Sequence, residues 1–324
     1  AVVLRGVPVA VGDVVHCQTQ RLNAAEAVRT LHLDQIPGII REGEILDRHV
    51  LHVRRTARTL DAQQTLGHRG DDGHIGRILA VAHVVDRLLG AVEVELARLI
   101  EQLKAKYGYV TGDINWGGVL NLALDVKGES VLMDMMLDPE ATKAYFAQIG
   151  RVVERFFSYI RSETGTTSIS VNRIARLLDE PLYLHSECTH TMISEFDYED
   201  QLLPIDIAWS EKYQPYGIHY CGKDPHRHAA QFAQIKNLSF LDLGWGGDVK
   251  ALREMLPETF FSLRLNPVEI GGYSSEELRE IITTRVKASG DLYKTGICCV
   301  NMDDTITDER VKEIYQIAEE LKTK

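Results

Sequence analysis

Apolar positions follow two rhythms after about residue 89. Short runs bounded by Gly, Pro or Asn alternate with longer stretches whose apolar residues recur every three or four positions. The short runs YGYVTG (107–112), TTSIS (166–170), PLYLHS (181–186), PYGIHYC (215–221), LSFLDLG (238–244), FFSLRLN (260–266) and TGICCVN (295–301) predict strands. The stretches 139–163, 193–213, 226–236, 248–256, 274–289 and 307–324 predict helices. So does AVEVELARLIEQLKAKYG, with Val92, Leu96, Ile100 and Leu103 on one face and a stop at Gly108. Ser194 before Glu195, Ser274 or Ser275 before Glu276, and Thr307 before Glu309 stand where N-caps belong.

Strand and helix in alternation predict a parallel α/β fold. No strand is followed by a glycine-rich dinucleotide fingerprint, so the expected architecture is a (β/α)8 TIM-type barrel rather than an open doubly wound sheet. In a barrel the strand C-termini share one mouth. Here those ends carry Glu187, His219, Cys221, Asp242, Asn266, Cys298 and Asn301.

Residues 1–106 break the pattern. They hold no Phe, Tyr or Trp, and the first lysine is Lys104, whereas arginine occurs 12 times before it. The expected division is therefore an aromatic-poor segment, 1–88, and a barrel region, 89–324, with one or two barrel strands to come from the first part. Two readings fit residues 1–88: a separate aromatic-poor domain, or a frame or strand error in a GC-rich gene. The second predicts that another frame of the underlying DNA encodes an aromatic-containing segment.

Net charge narrows the partners. At −11 over 324 residues, the chain is a poor match for a nucleic acid. No run of about 18 apolar residues spans a membrane. The first residues lack the charged start and cleavage pattern of a signal peptide. Five cysteines, at 17, 188, 221, 298 and 299, are odd in number and include an adjacent pair. That suits free thiols in a reducing cytoplasm better than a disulfide framework.

The candidate chemistry gathers on strand ends. His219 and Cys221 are two apart, so on a strand they share a face, and Gly222 then permits a turn. Cys298 and Cys299 are neighbours, so only one of them faces the mouth. An imidazole with two thiolates suits Zn2+ and leaves a fourth position for exchange. Against this, buried cysteine commonly serves as a small hydrophobe.

Glu187 is a candidate fourth ligand or acid–base group, with His185 on its face as a lesser one. Asp242 is, with Glu187, a catalytic candidate, placed to orient a ligand or line the pocket, and Arg264 and Asn266 are placed to bind substrate. Trp116 and Trp245 offer flat surfaces for stacking. Cys188 reads as packing, and His226 and His228 as solvated.

Residues 89–324 resemble the uroporphyrinogen decarboxylase superfamily. The resemblance rests on KYGYVTGDINWGG, on the ordered series TMIS, LLP, GIHYCGK, LDLGW and LNPVE, and on GICCVN before the last helix. It implies a (β/α)8 barrel. Within the superfamily the chain looks like the zinc-dependent branch, which moves a methyl group between a corrinoid protein and a thiol such as coenzyme M. That branch has a His-x-Cys…Cys zinc motif, which His219, Cys221 and Cys298 match, with Cys299 as alternative.

The resemblance thus implies Zn2+, a corrinoid carried by a partner protein, and a small thiol or methylated substrate. The metal-free decarboxylase branch is the alternative. Its arginine-rich stretch is not found in residues 1–106, and Arg173, Arg176 and Arg264 are among the few arginines left for the mouth. A non-catalytic tetrapyrrole- or corrinoid-binding relative is the third reading.

Overall fold

The computed structural model describes residues 2–3, 94, 96–108, 110, 117–165, 180, 182–299 and 302–322. The chain divides into two compact units, Arg21–Gly165, and Thr166–Lys324 together with Ala1–Gln20. The boundary expected at 88/89 falls outside the described residues, as do the expected strand at 166–170 and Trp116, Arg173, Arg176 and Asn301.

In the first unit the described residues are helical: α1 over 96–107, α2 (Val119–Lys127), α3 (Ser130–Leu137) and α4 (Pro139–Thr164). The start of the YGYVTG run is therefore not a strand, because Tyr107 ends α1 and Gly108 closes it with φ +79°. Helix α4 starts at Asp138, whose side chain accepts from the Ala141 N–H, with Pro139 in the first turn, and ends at left-handed Gly165. Its buried stripe includes Thr142, Tyr145, Phe146, Ile149, Val153, Phe157 and Ile160, a helical period that faces α2 and α3.

The second unit carries the sheet. Strand β1 (Val2–Val3) pairs antiparallel with β6 (Thr295–Cys299). Strands β2 (Tyr183–Ser186), β3 (Tyr216–Tyr220), β4 (Leu238–Leu243), β5 (Phe260–Leu265) and β6 are parallel in that spatial order. The sheet is thus parallel over five strands, in a mixed α/β fold.

Its helices are α5 (Glu195–Gln201), α6 (Leu203–Lys212), α7 (Ala229–Phe232), α8 (Val249–Met255), α9 (Pro267–Gly272), α10 (Ser275–Ala288) and α11 (Asp308–Lys322). The single helix expected at 193–213 is two, broken at Leu202. Pro204 lacks an N–H to continue the first ladder but fits the opening turn of α6. The helix expected at 226–236 is a 3-10 turn, Pro225–His228, followed by the single turn of α7. Ser194 and Ser274 form reciprocal capping boxes with Asp197 and Glu277.

Register decides which residues share a face. Ser186 pairs with His219, His219 with Asp242, Asp242 with Ser262, and Arg264 with Cys298. These side chains therefore lie on one face of the sheet. Ile218, Leu241, Leu243, Leu263 and Ile297 take the other face and are buried. Among the described residues no helix is long and apolar enough to cross a membrane.

Candidate metal centre

Strand β3 delivers His219 and Cys221 together, as period two requires. His219 is completely buried, and its Nδ1 lies 2.5 Å from Asp242 Oδ2 on the next strand. If Nδ1 donates that bond, the Nε2 lone pair faces the other way. Nε2 is buried and has no hydrogen-bond partner among the described residues. An imidazole nitrogen in that state is costly unless something binds it.

Two sulfurs stand beside it. Ligand atoms of Cys188, His219 and Cys221 all lie within 4.8 Å of one another. Cys188 opens the 3-10 turn Cys188–Met192 that leaves β2, and Cys221 directly follows β3. The strands place them in line. Ser186 is in register with His219, and the Glu187 N–H still donates to the His219 carbonyl at 3.2 Å. Cys188 and Cys221 are each two residues past that pair.

Close packing holds the following loops. A Cβ on Gly222 would meet Thr191 Cγ2 at 2.5 Å, and one on Gly244 would meet the Gly222 carbonyl oxygen at 1.9 Å.

The thiols differ in acidity. Cys221 is brought down to about 4, chiefly by a hydrogen bond from Cys188; burial works against the shift, and His219 and Arg264 favour it. Cys188 is pushed up by the same pairing and by burial. The pairing thus favours the thiolate at Cys221 and the thiol at Cys188. Soft sulfur and a buried imidazole form a donor set that fits Zn2+.

The other expected residues are distributed around this cluster. Cys298 faces the same side of the sheet, beside Arg264 in register, but lies in an apolar cluster with Leu182, Leu184, Phe240 and Phe260. Burial pushes its thiol up. Cys299 takes the opposite face, where burial raises its thiol to about 11. Cys188, read from sequence as packing, supplies the third ligand atom of the cluster instead. Its signal lay in register, since it falls two residues past the strand position paired with His219, and the sequence does not show which strands pair.

Arg264 is buried, and its Nη2 lies 3.4 Å from Asp242 Oδ2. Asn266 caps α9, its Oδ1 accepting from the Val268 N–H at 3.0 Å. Trp245 packs partly buried on the apolar cluster that holds Cys298. His226 is exposed, and its Nδ1 accepts from the Asp248 N–H. His228, expected in solvent, is fully buried against Tyr198, Tyr220 and Phe232.

Glu187 leads to a second polar group behind the cluster. Its Oε1 accepts from Thr189 at 2.7 Å, and its Oε2 lies 3.5 Å from His185 Nε2. His185 Nδ1 bonds Asp206 at 2.7 Å, and Asp206 also accepts from Tyr198 and Tyr216. Burial alone would lower His185, but Asp206 and Glu187 outweigh it and raise His185 to about 10. Burial would raise both carboxyls, yet the histidine cation keeps them below their usual range. Asp206 and Tyr198 were not anticipated, because they sit on helices whose contact with β2 is tertiary.

No family model and no curated protein matches the chain. One similar solved structure is described as a methyltransferase from Methanosarcina mazei, with a TM-score of 0.48 and 10% identity. The match covers 68% of this chain and 62% of that one. The chain therefore spans 62% of the length of that structure. A likeness of this degree is too slight to fix an activity, and the chemistry below rests on the residues.

Proposed function

We propose that the chain is a zinc-dependent methyltransferase moving a methyl group between a corrinoid protein and a small thiol, in a reducing cytoplasm. The five parallel strands are read as part of a (β/α)8 barrel whose mouth holds the cluster. The observation that carries the metal reading is the group itself, with ligand atoms of Cys188, His219 and Cys221 all within 4.8 Å of one another and His219 Nε2 buried without a hydrogen-bond partner among the described residues. The resemblance of residues 89–324 to the corrinoid–thiol branch supplies the reaction class.

Bound there, zinc would supply the positive charge that keeps a substrate thiol deprotonated near neutral pH. His219 and Cys221 would hold it, with Cys188 completing the set on geometry and Cys298 the alternative on sequence spacing. Asp242 orients the His219 ring through Nδ1 and so aims Nε2 at the site. Arg264, buried and paired with Asp242, keeps positive charge beside the sulfurs.

Metal content of the purified chain is the direct test. About one zinc per chain, lost in Cys221→Ser, is the expected result for a three-ligand site. A folded chain without zinc would sink this reading.

Arg264 favours a second one. Its Nε makes no hydrogen bond among the described residues while its Nη2 lies 3.4 Å from Asp242 Oδ2, so a carboxylated substrate would find one buried donor at Nε. That outcome would point to the metal-free decarboxylase branch.

A further inference from the structure

We propose that Cys188 and Cys221 form a reversible disulfide that switches the metal centre off; the effect on metal rests on the zinc reading, the disulfide itself does not. The two residues follow neighbouring parallel strands, each two positions beyond the register pair Ser186–His219. Their ligand atoms already fall in one group with every distance within 4.8 Å, and Cys221 Sγ lies 3.9 Å from the Cys188 carbonyl oxygen. The parallel strands that lead to them run about 5 Å apart, a spacing inside the Cα range that a disulfide bridges. Both residues are half-buried rather than sealed, whereas Cys298 is buried at 1% exposure.

The oxidant is a low-molecular-weight disulfide. One cysteine thiolate attacks it, the reagent's S–S bond breaks, and one thiol leaves after taking up a proton. The second cysteine loses its proton to solvent and attacks the mixed disulfide. The second reagent thiol leaves as the Cys188–Cys221 bond forms. The protein loses two electrons, and the reagent becomes two thiols whose two protons come from the second cysteine and from solvent. Two of the three ligand atoms of the cluster are consumed.

The test uses the full chain, metal-free and zinc-loaded, incubated with oxidised glutathione. Peptide mapping without reductant is expected to show a Cys188–Cys221 link in the metal-free protein. Zinc uptake should fall from about one per chain to none, and dithiothreitol should restore it. Cys188→Ser should instead keep glutathione attached at Cys221. Glutathione retained on the wild-type protein, or a link through Cys298 or Cys299, would overturn the proposal. A Cys188–Cys221 link in a protein that binds no zinc when reduced would uphold the disulfide and remove only the metal reading.

Discussion

At the scale of single residues, His219 carries most of the argument. A fully buried imidazole with one nitrogen tied to a carboxylate and the other without a hydrogen-bond partner among the described residues is arranged as a ligand is. Asp242→Asn keeps an acceptor for Nδ1 but removes the charge. Its zinc affinity should fall about 10- to 100-fold in a chelator competition, with the folded state retained. Unchanged affinity would mean that Asp242 serves Arg264 rather than the histidine.

The identity of a third ligand is tested at this scale too. Cys188→Ser should weaken zinc more than Cys298→Ser, because only Cys188 stands within 4.8 Å of the other two ligand atoms. The reverse order would return the site to the sequence spacing. His-x-Cys was legible in the sequence because strand period two acts over two residues. Cys188 was not, because its approach depends on the pairing of β2 with β3.

At the scale of elements, the site is only as firm as the loops behind the strand ends. Gly244 must be glycine because a Cβ there would sit 1.9 Å from the Gly222 carbonyl oxygen. Gly244→Ala should push the β3 and β4 exits apart. A loss of about 2 kcal/mol or more in urea unfolding, together with weakened zinc uptake, is expected. Wild-type values in both would show that the loops yield.

Arg253 is a second fastener. From α8 it donates to the carbonyls of Leu256, Pro257, Thr259, Ser289 and Lys294, and its guanidinium stacks 3.9 Å from the centre of the Phe261 ring. It ties the end of α10 and the turn before β6 to the β5 side of the sheet. Helix existence was readable from caps and period, and Ser194 and Ser274 behave as their positions suggest. The break at Leu202 and the shortness of α7 were harder to see, because an apolar stripe does not reveal where Pro204 will reset the ladder.

At the scale of the whole molecule, buried titratable groups set the pH range of the metal-free fold. Burial drops His228 and His190 to about 4, below the ordinary 6.5, so the folded chain resists protons that the unfolded chain takes up. Their contribution is complete above 6.5 and is lost as pH falls toward 4. Cys221, also near 4 against an ordinary 9, adds a loss on the acid side that extends from 9 downward. His185, raised to about 10, works the other way: its contribution is complete below 6.5 and fades as pH rises to 10.

Between 6.5 and 9 the His185 and Cys221 slopes oppose each other. The urea midpoint should therefore be nearly flat there and fall steeply below 6.5. In Cys221→Ser the flat region should tilt, with stability declining as pH rises. A midpoint that rises on acidification, or a variant whose profile matches the wild type, would show that the folded charges are assigned wrongly.

The sequence by itself determined what acts over a few residues. Period-two runs marked the strands β2 to β6, the caps marked α5, α10 and α11, and alternation marked a parallel sheet. His219 and Cys221 were bound to share a face once the run was a strand. Tertiary structure decided everything that depends on which strands are neighbours. It set Asp242 against His219, placed Cys188 beside Cys221, left Cys298 in an apolar cluster, and buried His185 between Asp206 and Glu187. The physical reason is that side-chain period is a local property of the backbone, whereas register is chosen by burial summed over the whole sheet.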